Sequence, residues 1–424
     1  VPALGVGIDF GTTNSAVAVA DPGAPEGARL LPLPGPDGRG GATWRTILYF
    51  ESGQEGGGSP VEISAGGPAI RRYAESEGQG RLVQSIKSHL ASELFSATHV
   101  FGRRYRIEEL VATFLRQLRA AVSVDLGRRA VVGRPVRYWG ARTPADEQRA
   151  LDRMRAALAL AGFDEVVFQL EPVAAANRYA ARRDHDELVL IADFGGGTSD
   201  FSVMRVGRGG EPVVLGTSGV AVAGDSFDAR LIDQVVAPAL GRGSRYRAEF
   251  DREMPVPPWL YTNLRRWHHL SFLRSRETSA LLDKIRHGAS DPGAIDKLVR
   301  VIEDELGLPL HQAVEAAKHA LSGSERTEFA FDRPGVAFAT PVRRGELDLW
   351  IAEEVTAIDA AVGEALQAAG VRAEQIGRVF TTGGSSLVPA VRAMLSQRFG
   401  AERLVGGEEL TSVAWGLAVS AARA

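Results

Sequence analysis

Asp9 and Asp193 each close a run of β-forming residues, and each is followed by phenylalanine and a glycine turn: Asp9-Phe-Gly-Thr-Thr-Asn-Ser15 and Asp193-Phe-Gly-Gly-Gly-Thr-Ser-Asp200. Glycine lets the backbone bend sharply and present N–H groups to an anion. Each such donor to a charged oxygen contributes about 1.5–3 kcal/mol, so two facing turns would wrap a polyphosphate. The aspartates, being anionic, suit Mg²⁺ and its waters beside the phosphates rather than phosphate itself. An ordinary tight hairpin with capping Asp and Thr explains either turn alone. It explains the pair, about 184 residues apart, far less well.

A third element, Phe380-Thr-Thr-Gly-Gly-Ser-Ser-Leu-Val-Pro389, reads as a strand, a glycine turn and a helix start whose N–H groups can meet an anion or a ribose. Lysine is scarce: 4 of the 49 basic residues, namely Lys87, Lys284, Lys297 and Lys318. The excess of arginine fits a coding bias, which makes each remaining lysine informative. Glu315, Lys318 and Ser322, at i, i+3 and i+7, share one helical face. Without further context that face is a solvated one.

The elements that must hold these residues alternate in type. Residues 4–10 and 15–20 predict one strand–turn–strand unit, and 188–194 with 200–206 predict another. Two such units suggest an internal duplication that founds two lobes. Between them, residues 106–124 and 144–161 carry apolar residues at helical spacing, and 130–135 read as a buried strand ended by proline. The expected class is therefore α/β. Residues 33–80, rich in Gly, Pro, Ser and Glu, predict an exposed sub-lobe with long loops. Residues 241–310 look mainly helical; a strand pair near 327–340, a long helix near 344–369, a strand at 377–382 and a helix from about 411 follow.

Composition narrows the function. The chain has 424 residues, 45% hydrophobic and 24% charged, which suits a folded protein of about two domains. A net charge of −3 offers no basic field for nucleic acid. Cysteine is absent, which excludes disulfides and thiolate sites and fits a reducing compartment. Asp9 interrupts the apolar start, which reads as a strand rather than a signal segment, and no run reaches the roughly 20 apolar residues of a membrane helix. No membrane partner is expected.

The ordered trio of glycine turns resembles the actin, sugar-kinase and heat-shock ATPase superfamily. Within it, the chain is most similar to the nucleotide-binding domain of the seventy-kilodalton heat-shock chaperones. The likeness extends over Val131-Val-Gly-Arg-Pro135, Leu170-Glu-Pro-Val-Ala-Ala-Ala176, Gly224-Asp-Ser-Phe-Asp228 and Glu315-Ala-Ala-Lys-His-Ala-Leu-Ser322. It implies a two-lobed actin-like fold of duplicated ribonuclease-H-like lobes, each with an inserted sub-lobe. Lobe I would span 1–186 with a sub-lobe at about 33–105. Lobe II would span 187–424 with a sub-lobe at about 228–310, its final helix packing back toward lobe I.

The resemblance also implies roles. Asp9 and Asp193 would organise Mg²⁺. Gly11, Thr12, Thr13, Asn14, Gly195, Gly196, Gly197 and Thr198 would contact the phosphates of ATP or ADP. Lys87 looks like the family's catalytic lysine, which neutralises the γ-phosphate and positions water. Glu171 would sense that phosphate through the metal's water shell, with Asp200, Thr198 and Thr12 near the reacting water. Pro135 would be an interlobe switch. Gly224, Asp225, Glu315, Lys318, His319, Ser322, Gly383, Gly384, Ser385 and Leu387 would line the nucleoside. A protein client or cochaperone is the implied partner, with a cytoplasmic monomer expected.

The sequence departs from the family in places. His319 and Leu387 stand where arginines flank adenine, so the base should be held differently. Leu410 replaces a usual acid, and Val167 replaces the basic residue expected near Glu171, which bears on J-domain docking. The likeness reaches the end of the chain without the interdomain linker or peptide-gripping sandwich, as in the short bacterial YegD-like homologues. Three functions follow: a slow heat-shock-type ATPase, a small-molecule kinase with Asp200 as base, or a non-catalytic ATP-dependent module. In residues 259–276, Trp267, His268 and His269 suggest a partner or metal site. Adjacent histidines on a helix point to different sides, so a buried tryptophan with exposed histidines is expected instead.

Overall fold

The computed structural model describes residues 5–21, 27–51, 61–76, 80–180, 185–207, 212–248, 252–265, 270, 273–406 and 412–423. Trp267, His268, His269 and Leu410 lie outside them. The chain divides into two compact units. One comprises residues 1–223, 357–386 and 392–424; the other comprises 224–356 and 387–391.

The first unit is built on two sheets of the same design. In one, Val6–Phe10 and Asn14–Ala20 form the first hairpin, and Ala28–Leu30 pairs antiparallel with its second strand. Arg129–Arg134 then Glu165–Leu170 add in parallel on the other side. In the other sheet, Glu187–Phe194 and Ser199–Val206 form the second hairpin, with Val213–Val220 antiparallel on one side. Arg378–Thr382 then Leu404–Val405 add in parallel on the other. Numbered by order within each repeat, both run 3-2-1-4-5. Both turns also have the same length, since Phe10 faces Ser15 and Phe194 faces Ser199.

Two helices join these sheets. Ser412–Arg423 packs on the first hairpin and on Glu171–Ala180, which in turn contacts the second hairpin. Ala174 joins Val131, Val413 and Leu417 in one apolar cluster, while Ala176 joins Val189, Ile191 and Met204 in another. The contact needs residues without side chains: a Cβ on Gly416 would sit 1.8 Å from the Ala174 carbonyl oxygen. The two helices therefore approach at backbone distance.

The described residues between 33 and 80 carry more order than the composition of this stretch suggests. Ile47–Glu51 is the central strand of a three-stranded sheet, with Leu48, Tyr49 and Phe50 fully buried, and the helix Gly66–Glu75 packs on it. Glycine and proline cluster around these pieces, and the apolar run Ile-Leu-Tyr-Phe supplies the core. The expected long helix near 344–369 is broken at Ile351 into Arg344–Trp350 and Ala352–Ala369. The second unit is mainly helical, with Arg276–Gly288, Pro292–Glu303 and Gly307–Gly323 around Ile285, Leu298 and Val314. Its hairpin, Arg326–Arg333 with Val336–Arg343, packs on the last of these helices.

Candidate active site

Asp9 and Asp193 hold the same penultimate position in the leading strand of their hairpins. Asp193 stands opposite Asp200 on one side and beside Thr382 on the other, and the Thr382 hydroxyl donates to Asp193 Oδ1 over 2.5 Å. The Thr198 hydroxyl donates to Asp200 Oδ2 over 3.0 Å, and the Gly195 N–H closes the turn onto the Thr198 carbonyl at 2.9 Å. Gly383 has φ of +82°, and a Cβ there would meet the Phe194 carbonyl oxygen at 1.9 Å. Only glycine allows this turn to lie against the end of the second hairpin. In the first hairpin, Gly11 to Asn14 are half-buried, and the Thr13 carbonyl accepts the Thr46 N–H at 2.9 Å.

Lys87 and Glu171, 84 positions apart, meet as an ion pair: Lys87 Nζ lies 2.8 Å from Glu171 Oε1, with side chains 11% and 9% exposed. Glu171 opens the helix that follows the strand Glu165–Leu170. It comes close to Gly133 in the neighbouring strand, where a Cβ would stand 3.0 Å from Glu171 Cγ. Pro135 is buried just beyond the end of that strand.

These groups act on one another electrically. Burial, then the charges of Glu171 and Asp193, push the Asp9 carboxyl up to about 8 against the pull of Lys87. Burial and Asp193 push Asp200 up to about 7, although Thr198 opposes this. Burial and Glu171 raise Asp193, opposed by the Thr382 hydrogen bond and by Lys87. Burial alone would lower Lys87, but Glu171 and then Asp9 outweigh it and hold the ammonium above its ordinary range. Asp9, Glu171, Asp193 and Asp200 thus form one acidic cluster around one ammonium.

Among the described residues no three acidic or histidine side chains are arranged to cage a bare ion. Mg²⁺ keeps several waters and takes one or two carboxylates plus phosphate oxygens rather than such a cage.

In the second unit, Glu315, Lys318, His319 and Ser322 lie on the helix Gly307–Gly323. Lys318 Nζ pairs with Asp228 Oδ1 at 2.7 Å and donates to the Gly224 carbonyl at 3.3 Å, while burial raises Asp228 against that pairing. Ser322 donates back to the Lys318 carbonyl at 3.3 Å. Gly224 and Asp225 open the helix Gly224–Leu231. Leu387 is 36% exposed.

A family model described as Hsp70 protein matches residues 72–243 and 300–423, well over half of the chain. The chain belongs to the Hsp70 family. The match takes in Lys87, Glu171, the second hairpin, the helix with Lys318 and the Gly383 turn. The first hairpin precedes it, and its kinship with the second rests on the shared sheet order. Membership carries the actin-like ATPase fold and an ATP-binding, chaperone-like function of the heat-shock type. Among the described residues, no helix is long and apolar enough to cross a membrane.

The fold also brings to these clusters residues to which the motifs assigned no role. Thr382 lay inside the quoted Phe380–Pro389 element, but its bond to Asp193 depends on strand register, which a single sequence does not display. Tyr138, three residues past Pro135, is buried, and its hydroxyl feels both Lys87 and Glu171; burial pushes it up to about 12. Asp228 lay inside a quoted motif, but its pairing with Lys318 needed the fold.

Proposed function

We propose that this Hsp70-family chain is a slow, Mg²⁺-dependent ATPase whose nucleotide state governs closure of its two lobes, in a cytoplasmic setting. The observation that carries the reading is the buried Lys87–Glu171 pair set among Asp9, Asp193 and Asp200 at the feet of two matched hairpins. In this reading the N–H groups of residues 11–14 and 195–198 hold the phosphates, and Thr12 and Thr13 add hydroxyl donors. Asp9 and Asp193 would hold Mg²⁺, which when bound would supply charge screening for the phosphates. Lys87 would shift from Glu171 toward the terminal phosphate, and the released Glu171 carboxylate would sense that phosphate. Asp200, near neutrality in its carboxyl equilibrium and steadied by Thr198, accepts a hydrogen bond from the attacking water. Glu315, Lys318, His319 and Ser322, with Gly224, Asp225 and Leu387 of the same unit, would line the nucleoside.

Catalysis by positioning alone is slow: unassisted nucleotide hydrolysis in GTPase switches runs near about 10⁻⁴ s⁻¹, against roughly 1–100 s⁻¹ for kinases. Single-turnover hydrolysis of ATP with Mg²⁺ tests the proposal. A rate far below the kinase range, lost in Lys87→Met, is expected; equal negligible rates would leave a non-catalytic ATP-binding module. Asp200 at about 7 is also suited to a general base for a substrate hydroxyl, which favours a small-molecule kinase as the second reading. ADP production that rises with one member of a sugar panel would support it.

A further inference from the structure

Lys87 sits on a single 3₁₀ turn, Ile86–His89, entered through Ser85 in the left-handed region at φ of 54°. A non-glycine residue there stores strain, and the ends of the turn are closed by Ser88 N–H to Ser85 O at 3.0 Å and Leu90 N–H to Lys87 O at 3.2 Å. Something else must fix where the lysine points. Two arginines one helical turn apart on the helix Pro144–Leu160 reach the carbonyls just after it. Arg153 Nη1 donates to His89 O at 3.2 Å, Leu90 O at 2.9 Å and Ser92 O at 2.7 Å. Arg149 Nη1 donates to Ala91 O at 2.9 Å and is itself braced by Asp146 at 2.7 Å. Four consecutive carbonyls, 89 to 92, are thus gripped from one helix face.

We propose that Arg153, backed by Arg149, is a positioning residue for Lys87. It clamps the strained turn so that the ammonium stays aligned with Glu171 and with the terminal phosphate. The inference rests on the reading that Lys87 serves hydrolysis. Its physical basis is that a displacement of about 1 Å in a reacting geometry costs about a hundredfold in rate. The guanidinium holds backbone rather than nucleotide, so its loss should appear in the chemical step and not in affinity.

The test is single-turnover ATP hydrolysis by the full chain with Mg²⁺, paired with calorimetric ATP binding and thermal melts. Arg153→Gln should slow hydrolysis by about 10–100-fold, within the range that misplacement costs, while the ATP Kd changes less than about threefold. Arg153→Lys, whose ammonium offers three donors, should recover most of the rate. In a Lys87→Met background, Arg153→Gln should cause no further slowing, because coupled residues are non-additive. A wild type no faster than Lys87→Met sinks the parent reading and this one together. A wild type faster than Lys87→Met but matched by Arg153→Gln sinks this one alone, as does an additive loss in the double variant. Should Arg153→Gln fail to fold, Arg149→Gln, which releases one carbonyl, gives the same comparison with a smaller expected drop.

Discussion

At the residue scale the site is a problem in charge. Lys87 and Glu171 are both nearly buried and hydrogen-bonded to each other, and removing one partner of a buried pair typically costs about 3–5 kcal/mol because a lone charge remains. Lys87→Met should therefore lower the melting temperature well below wild type, and Lys87→Met with Glu171→Gln should recover much of it. Thermal melts of the three proteins check this. Asp9 provides the complementary test. Its carboxyl stands at about 8 in the fold against 3.8 ordinarily. Between those values the folded chain keeps a proton that the unfolded chain has released, so stability falls as pH rises across the window. Without Mg²⁺, the melting temperature of wild type should fall from pH 4 to 8 more steeply than that of Asp9→Asn. The variant should be the more stable at the upper end, and parallel curves would show that Asp9 is not under this load.

At the element scale, the two hairpins were legible because glycine turns and β-type runs leave a local signature: Val6–Phe10, Asn14–Ala20, Glu187–Phe194 and Ser199–Val206 match the expected strands to within two residues. The helices Ile107–Ala121 and Pro144–Leu160 were legible by periodicity, and in the structure Thr143 caps the second. The three-stranded sheet around Ile47–Glu51 was not, since its pairing joins segments separated by glycine-rich stretches whose composition points the other way. The carboxylates and Lys87 could be named from motifs; the grip of Arg149 and Arg153, the Thr382 bond and the place of Tyr138 depend on register and helix docking. The close approach of the closing helix to Glu171–Ala180 makes its own prediction. A methyl group on Gly416 would stand 1.8 Å from the Ala174 carbonyl oxygen, so Gly416→Ala must force these helices apart. Overpacking of this kind costs about 1–3 kcal/mol or more, and a denaturant titration should show the midpoint moving down with no rise in slope.

At the scale of the whole molecule, the repeated 3-2-1-4-5 order places an aspartate and a glycine turn at equivalent points of two sheets. If both serve one nucleotide and one metal, the effect of Mg²⁺ on ATP binding must depend on both aspartates. Isothermal titration of ATP into wild type, Asp9→Asn and Asp193→Asn, each with and without Mg²⁺, measures that dependence directly. The account predicts that Mg²⁺ tightens binding to wild type by at least about tenfold, roughly 1.4 kcal/mol, and that either substitution abolishes the gain. A Mg²⁺-dependent gain that survives intact in one of the two variants would contradict it.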